Sequence, residues 1–378
     1  MDLILLGSAL AFFITYMSIP VIITVSECKK LFDEPDERKL HANPVPSLGG
    51  LGIFAGMIMS LLLSVSFTEA PEFQYFVAAS LVIFFLGMKD DILVLSPTKK
   101  LIGQMIAAFL LMYKGNIKIV SMHGFLGVYE LPEAMSFALT MFAIVVIINS
   151  FNLIDGVDGL AASLGLLTAF VFGSYFYYVG QMPYALLSFI TAGSLMGFLI
   201  FNHSPARIFM GDTGSLLLGI VNAILVIHFI STAGDPKSIL PVSSAPAIGF
   251  SILILPLFDT LRVFSIRILS RRSPFSPDRN HIHHLLLDYG LTHSSVTYIC
   301  VVVNILFILF AYLSRSLGTT ILLMTMLLSA VAMTGLLIYN LKRKRLYVEP
   351  KFAEGHPTIN AQKLLSFRKK KLVLPEDN

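Results

Sequence analysis

Charged residues and cysteines are scarce in this sequence. Only 13% of its 378 residues are charged and 56% are hydrophobic, with a mean hydropathy of +0.79. Long apolar runs recur from end to end and no stretch indicates a soluble domain, which is typical of a polytopic helical membrane protein. The two cysteines, Cys28 and Cys300, are far apart and form no CxxC pattern. This spacing argues against a disulfide framework and against a zinc site.

The apolar runs predict an all-α polytopic integral membrane protein with about eleven transmembrane helices. Two runs, 73–88 and 101–113, are shorter than the roughly 20 residues that cross a bilayer, so they are tilted, extended by flanking residues or not full spans. The first run is too long for a cleaved signal peptide, and we expect it to be retained. Residues 116–131 alternate between apolar and polar, which predicts a small extracytoplasmic β-hairpin. The predicted spans are 3–26, 50–68, 73–88, 101–113, 135–150, 159–179, 184–201, 213–232, 244–270, 295–314 and 318–341.

Lysine and arginine predict the orientation of these spans. With the N-terminus outside, all but four of the 27 Lys and Arg residues fall on one side of the membrane. Because basic residues accumulate in cytoplasmic segments, we expect the C-terminus in the cytoplasm and the protein in the inner (plasma) membrane. We therefore expect residues 1–341 to form a single transmembrane domain, which would contain any catalytic site. Residues 342–378 would form a basic cytoplasmic tail. The four exceptions are Lys114, Lys118, Lys237 and Arg315.

A polar stretch ends one apolar run and opens another at Asn149, Asn152, Asp155 and Asp158. Neighbours three apart share a helix face, but the first and last are nine apart, roughly half a rotation. All four therefore converge only where the helix stops or bends. Carboxylates at such a position are energetically expensive and usually mark a functional site. The alternative is a polar reverse turn between two spans.

Two further motifs lie on the same predicted side. Asp90 and Asp91 are adjacent, so both stay ionised most easily beside a metal or a lysine such as Lys100; the alternative is an acidic loop with lysines reaching toward water. Asp212 lies between two glycines at the start of an apolar run, which offers both a cation site and an anion site. A single carboxylate is enough for Mg²⁺ when the substrate brings phosphates.

The last predicted cytoplasmic loop contains Arg279, His281, His283 and His284. Such a cluster is either a transition-metal site or a cationic clamp for phosphate. The absence of a nearby cysteine or glutamate, together with the arginine, favours the clamp. Asp259 and Arg262, three residues apart in the preceding span, are interpreted as a structural ion pair.

These four motifs, in this order and on one side, resemble the polyprenyl-phosphate N-acetylhexosamine-1-phosphate transferase family (glycosyltransferase 4 type). The His-Ile-His-His form is similar to the WecA-like and TagO-like branch, which transfers GlcNAc-1-phosphate from UDP-GlcNAc to undecaprenyl phosphate. The MraY branch uses UDP-MurNAc-pentapeptide and typically has a His-His-His-Phe-Glu pattern. The chain departs from some relatives at Val94, where they have a third acid.

The resemblance implies Mg²⁺, or Mn²⁺ in its place, a UDP-sugar donor and an undecaprenyl phosphate acceptor in the membrane. It implies a role at the start of cell-envelope polysaccharide synthesis and no nucleic acid, and it leaves a homodimer open. Asp90 or Asp91 would act on the lipid phosphate; Asp158, Asn202 and Phe209 would face the uridine. The candidate residues are Asp90, Asp91, Asp155 and Asp158 for catalysis, Asp212 and Asn152 for the metal, and Lys100, Asn149, Asn202, Phe209, Arg279, His281, His283 and His284 for substrate.

Three alternatives stay open at this stage. An aspartate could act as a base or as a covalent nucleophile, although a lipid phosphate is already largely dianionic at pH 7, which favours its direct attack. The donor could be the pentapeptide nucleotide or another UDP-N-acetylhexosamine. The remote alternative is an ion-coupled secondary transporter, because membrane carboxylates and broken helices also serve ion coupling, but no internal repeat is visible.

Overall fold

The computed structural model describes residues 2–29, 45–271 and 280–352, with side chains to residue 343. The chain divides into two compact units, Met1–Ala332 and Met333–Asn378. The first unit contains all the candidate site residues. The predicted division at residues 341 and 342 stays a prediction.

Helices occupy all eleven predicted spans. They are α1 (Asp2–Lys29), α2 (Gly49–Ser64), α3 (Phe73–Leu93), α4 (Pro97–Tyr113), α5 (Glu133–Ile154), α6 (Leu160–Tyr178), α7 (Met182–Asn202), α8 (Gly211–Gly234), α9 (Ala245–Ile252), α10 (Ile254–Leu269), α11 (Ile282–Asp288), α12 (His293–Leu313) and α13 (Thr319–Phe352). A 3₁₀ turn, Arg315–Leu317, precedes α13.

The helices make this a multi-pass membrane protein. Seven of them in the described chain are long and apolar enough to cross a membrane, and the bent pair α9–α10 is an eighth if it counts as one span. The seven are α1, α5, α6, α7, α8, α12 and Thr319–Arg343 of α13. The predicted count of eleven spans is not confirmed. The helix α2 is apolar but shorter than the seven, and the prediction that α3 and α4 cross the membrane stays a prediction. The helix α3 runs to Leu93, five residues beyond its predicted end.

The predicted hairpin is present as two antiparallel strands, β1 (Ser121–Phe125) and β2 (Val128–Glu130). Its turn is tied to the start of α13, since the amide of Leu126 donates to Oγ1 of Thr320 at 2.8 Å. The extracytoplasmic position of the hairpin stays a prediction.

The helix α8 packs against α2, α3, α5, α6 and α9. At its N-terminus the neighbouring backbones come unusually close. A Cβ on Gly50 of α2 would lie 2.2 Å from the amide nitrogen of Gly214, and one on Gly87 of α3 would lie 2.5 Å from Cα of Thr213. Only glycine fits these two positions, and they bring α2 and α3 against the first turn of α8.

The ninth predicted span is broken rather than merely bent. Its halves, α9 and α10, meet at an angle of 84°. Pro256 has no amide hydrogen, so the carbonyl of Ile252 lacks its usual partner four residues later. Asn304 of α12, only 1% exposed, replaces it: its side-chain amide donates to Ile252 at 3.0 Å, and its oxygen accepts from the amide of Leu255 at 3.4 Å. One side chain therefore satisfies both ends of the break.

We expect Asn304→Leu to lower the free energy of unfolding by about 1–3 kcal/mol, because two buried backbone groups lose their partner. Thermal unfolding in detergent measures the effect. Asn222→Leu is the matched control, since Asn222 is equally buried and its amide bonds only the carbonyl of Leu218 in its own helix. An equal loss in both variants would contradict the proposed function of Asn304 in the break.

Candidate active site

The N-terminus of α8 is capped by a side chain from another helix. The residue before α8, Met210, provides no side-chain cap. Instead the carboxylate of Asp91, in the last turn of α3, accepts hydrogen bonds from the amides of Asp212 (2.7 Å) and Thr213 (3.0 Å) and from the hydroxyl of Thr213 (2.5 Å). A carboxylate is favoured here because the unpaired amides make the start of a helix electropositive. Asp91 therefore fixes the backbone of Asp212.

The side chain of Asp212 is held between a cation and an amide. Nζ of Lys100 lies 2.6 Å from Oδ2, and Nδ2 of Asn152 lies 2.8 Å from Oδ1. Lys100 also forms an ion pair with Asp90, which in addition accepts from the amide of Leu95. Three helix ends, those of α3, α4 and α5, thus place polar groups around the first turn of α8. These are Asp90, Lys100 and Asn152, each predicted from the sequence.

A pair of carboxamides lies next to this group. Gln104 of α4 and Asn149 of α5 form two hydrogen bonds, of 2.7 and 3.3 Å. Asn149 was predicted to contact substrate, whereas Gln104 was not predicted as a site residue. Its position four residues after Lys100, on the same helix face, is the signal that could have found it.

Asp155 differs from the other acids because it has no hydrogen-bond or ion-pair partner among the described residues. It follows directly after the C-terminus of α5. Burial raises the pKa of its carboxyl to about 8, and the negative charges of Asp212 and Asp91 add to the rise. An acid in this position gains from any cation that enters the site.

Asp158 and Asn202 are both 4% exposed and both bind the protein itself. Oδ2 of Asp158 accepts from the amide of Ala206 at 3.2 Å, and its Oδ1 lies 3.1 Å from Nδ1 of His293. The side chain of Asn202 accepts from the amide of Gly159 at 3.0 Å. They join the loop after α7 to the start of α6. His293 was not among the residues predicted from the sequence.

Phe209, the third residue assigned to the uridine, lies in that same loop and is half-buried. Its amide donates to the carbonyl of Pro46 at 2.8 Å, and its carbonyl accepts from the amide of Gly49 at 2.9 Å. The loop is thereby fixed to the segment that enters α2.

The histidines are anchored to α10. His281 donates from Nδ1 to Oδ2 of Asp259 at 2.8 Å, and the predicted ion pair between Asp259 and Arg262 is present at 3.0 Å. Beyond it, the ring of His283 lies against the polar stretch after α5: a Cβ on Gly156 would lie 2.4 Å from its Nε2.

His283 is 1% exposed, and burial lowers its pKa to about 3, so the ring is neutral at pH 7. Its Nδ1 has no hydrogen-bond partner in the described chain. The rings of His283 and His284 lie 4.3 Å apart. Arg279, predicted beside them, lies outside the described residues.

The donor set fits Mg²⁺ but not a protein-only metal cage. Among the described residues no group of three or more His, Cys, Asp or Glu side chains could hold a metal. Mg²⁺ needs only one or two carboxylates together with water and phosphate oxygens. Asp212 and the unpaired Asp155 offer carboxylates near each other. Asn152 now presents its nitrogen to Asp212, so its amide would have to turn over to offer its oxygen.

The fold and the site define a polytopic helical membrane protein with a cluster of acids, a lysine and amides where several helices end. The profile described as glycosyl transferase family 4 matches residues 73–230, which include the acids of α3, the stretch after α5 and Asp212.

Individual relatives extend the match. A probable undecaprenyl-phosphate N-acetylglucosaminyl 1-phosphate transferase of Bacillus subtilis is 35% identical over 285 residues, which cover 75% of this chain and 77% of the relative. A decaprenyl-phosphate N-acetylglucosaminephosphotransferase of Mycobacterium leprae is 31% identical, over 78% and 79%. An undecaprenyl-phosphate alpha-N-acetylglucosaminyl 1-phosphate transferase of Yersinia pestis is 30% identical, over 69% and 71%.

The chain belongs to glycosyl transferase family 4, in the WecA-like and TagO-like group of phosphotransferases. The resemblance drawn from its motifs is confirmed, and the protein is an enzyme.

We expect the two adjacent aspartates to differ. Asp91→Asn should lower the stability by about 0.5–1.5 kcal/mol, the net contribution of a typical hydrogen bond, because an amide nitrogen replaces one of the two oxygens that accept from α8. Asp90→Asn should leave the melting temperature nearly unchanged but abolish turnover, since it faces Lys100. Thermal unfolding and activity are measured on the same preparations. Equal melting temperatures for the two variants would be inconsistent with the cap.

Asp155→Asn should stabilise the protein in the absence of divalent cations. The folded pKa of about 8 lies above the ordinary 3.8, so the carboxyl destabilises the fold increasingly as the pH rises between these values. Because Asp155 is only partly buried, we expect a gain of about 1–3 kcal/mol at pH 8 and little at pH 4.5. Melting temperatures at both pH values test this. A gain of the same size at both would count against the raised pKa.

Proposed function

We propose that this enzyme transfers GlcNAc-1-phosphate from UDP-GlcNAc to undecaprenyl phosphate and releases UMP. The observation that supports it most is the carboxylate of Asp212, held between Lys100 and Asn152 beside a second, unpaired acid. The relatives' names support the polyprenyl phosphate acceptor and the N-acetylglucosamine phosphate group. The UDP donor comes from the motif resemblance.

The reaction joins two anions. An oxygen of the lipid phosphate attacks the sugar-bearing phosphorus of the donor, a new P–O bond forms, and the bond to the UMP oxygen breaks. The lipid phosphate is largely dianionic at pH 7, so its attack needs no proton removed. Positioning and charge neutralisation therefore dominate catalysis, as in other phosphoryl transfers.

Lys100 is the cation best placed for this task. It lies between Asp90 and Asp212, and it can exchange one of these contacts for a phosphate oxygen without leaving the site. Bound Mg²⁺ would neutralise charge on the diphosphate, and Asp212 with Asn152 would hold it. Asp155, which has no partner among the described residues, is the acid best placed to be a base or a covalent nucleophile. We favour direct attack by the lipid phosphate.

We place the site at the cytoplasmic face of the plasma membrane, with the N-terminus outside. The distribution of lysine and arginine supports this orientation. The product would then start the synthesis of a cell-envelope polysaccharide such as lipopolysaccharide or teichoic acid. Membership of a transferase family disfavours the transporter alternative.

The sugar is assigned from the loop with His281, His283 and His284. This loop contacts the polar stretch after α5 through His283 and Gly156, so its side chains are close to where the donor would bind. Its His-Ile-His-His sequence differs from the pentapeptide branch. Closely similar sugars are harder to exclude, because a site discriminates strongly only through clashes or unpaired polar groups.

We expect purified protein with undecaprenyl phosphate and Mg²⁺ to release UMP from UDP-GlcNAc, with far less from UDP-MurNAc-pentapeptide. UDP-GalNAc and a 6-deoxy donor are assayed in parallel, with and without EDTA. Lys100→Met should lower turnover by at least about 10²-fold, as the loss of one preorganised charge contact typically does. Lys237→Met, an exposed lysine in another loop, is the matched control.

Each other result has a definite meaning. A preference for the pentapeptide donor would move the enzyme to the other branch. Full activity in EDTA would remove the metal from the proposal. No UMP release from any donor would refute the proposed reaction.

A further inference from the structure

Gln104 and Asn149 form a closed pair of carboxamides between α4 and α5. The amide of Asn149 donates to Oε1 of Gln104 at 2.7 Å and also to the carbonyl of Val145 at 2.7 Å. Its own oxygen accepts from Nε2 of Gln104 at 3.3 Å. Gln104 is 1% exposed. Both hydrogens and the oxygen of Asn149 are thus used within the protein, which leaves little capacity for a substrate.

The pair lies one helical turn from the two side chains that bind Asp212. Gln104 follows Lys100 by four residues on α4, and Asn149 precedes Asn152 by three on α5, so each carboxamide shares a helix face with one of them. Lys100 and Asn152 approach opposite oxygens of the same carboxylate, at 2.6 and 2.8 Å. The distance between α4 and α5, and their relative height, therefore decide whether both can reach it.

The carboxamide pair can fix that height. Apolar side chains tolerate small sliding movements, whereas a slide by one residue, about 1.5 Å along a helix, would lengthen and misalign both hydrogen bonds. Leaving buried amide groups unpaired costs about 1–3 kcal/mol. No other side-chain hydrogen bond joins α4 to α5 in the described part of the chain.

We propose that Gln104 and Asn149 are positioning residues, which set α4 against α5 so that Lys100 and Asn152 meet the two oxygens of Asp212. This replaces the expectation that Asn149 contacts substrate. It rests on the proposed function for its effect on turnover, but the pairing itself does not.

An exchange of the two side chains tests the proposal. Gln104→Asn shortens the pair by one methylene and Asn149→Gln lengthens it, whereas the double variant keeps the total length. We expect each single variant to lower kcat by about 10- to 100-fold, because displacements near 1 Å cost up to 10²-fold. KM for the donor should change little. The double variant should recover most of the lost kcat.

Asn222→Gln is the matched control, since it makes the same chemical change at a buried asparagine of α8 whose amide bonds only its own helix. It should keep the kcat of the wild type. A loss equal to that of Asn149→Gln would show that any such change in the bundle is harmful, and would overturn the proposal.

Two further results would also overturn it. If Asn149→Gln and the double variant are equally impaired while Gln104→Asn stays active, Asn149 contacts substrate. If the double variant is no better than the worse single variant, the residues do not act as a pair.

Melting temperatures separate this proposal from the proposed function. Measured without substrate, they should show the double variant more stable than the sum of the single losses predicts. If the variants show this coupling but the protein releases no UMP, the pairing of Gln104 with Asn149 is supported and the proposed reaction is refuted. If the losses of stability in the single variants simply add in the double variant, the pairing is refuted whether or not the protein is active.

Discussion

The capping of α8 by Asp91 is the interaction on which the rest of the site depends. Free amides at a helix start require acceptors, and here they come from a carboxylate on α3 rather than from the residue before the helix. The glycines at positions 50 and 87 let two backbones approach this turn closely enough for the contact. Because Asp212 is the second residue of α8, the same arrangement fixes the carboxylate to which Lys100 and Asn152 bind.

Around that carboxylate the charges are only partly balanced. Lys100 pairs with Asp90 and Asp212, whereas Asp155 has no partner among the described residues and its pKa is raised to about 8. An excess of acids at one place is unfavourable, because like charges repel one another. In the proposed reaction, a divalent cation that enters with the diphosphate would make this arrangement favourable, because attraction would replace repulsion. The unfavourable charge therefore fits a site built for a cation and its substrate.

The histidine loop is positioned by a series of contacts that begins inside the predicted ninth span. Asn304 satisfies the backbone at the break before α10, and α10 then presents Asp259 to the loop. Asp259 accepts from His281 and from the amide of Ile282. This places His283 against Gly156, beside the acids. A polar residue outside the site thus helps to set the geometry of the loop.

The sequence by itself determined the helices and the set of polar residues that lie near the site. Apolar runs and their polar ends are local patterns, so they predicted helices at all eleven positions and the hairpin. The ordered motifs indicated the family, and the resemblance implied that Asp90, Lys100, Asn152 and Asp212 belong to one site. The tertiary structure decided which groups pair. Asp91 caps α8, Asn149 binds Gln104, and Asp158 binds His293 and the loop after α7. These partners are 45 to more than 100 residues apart. Their pairing depends on how helices pack, and packing is set by the shape of whole helix surfaces rather than by any short sequence pattern.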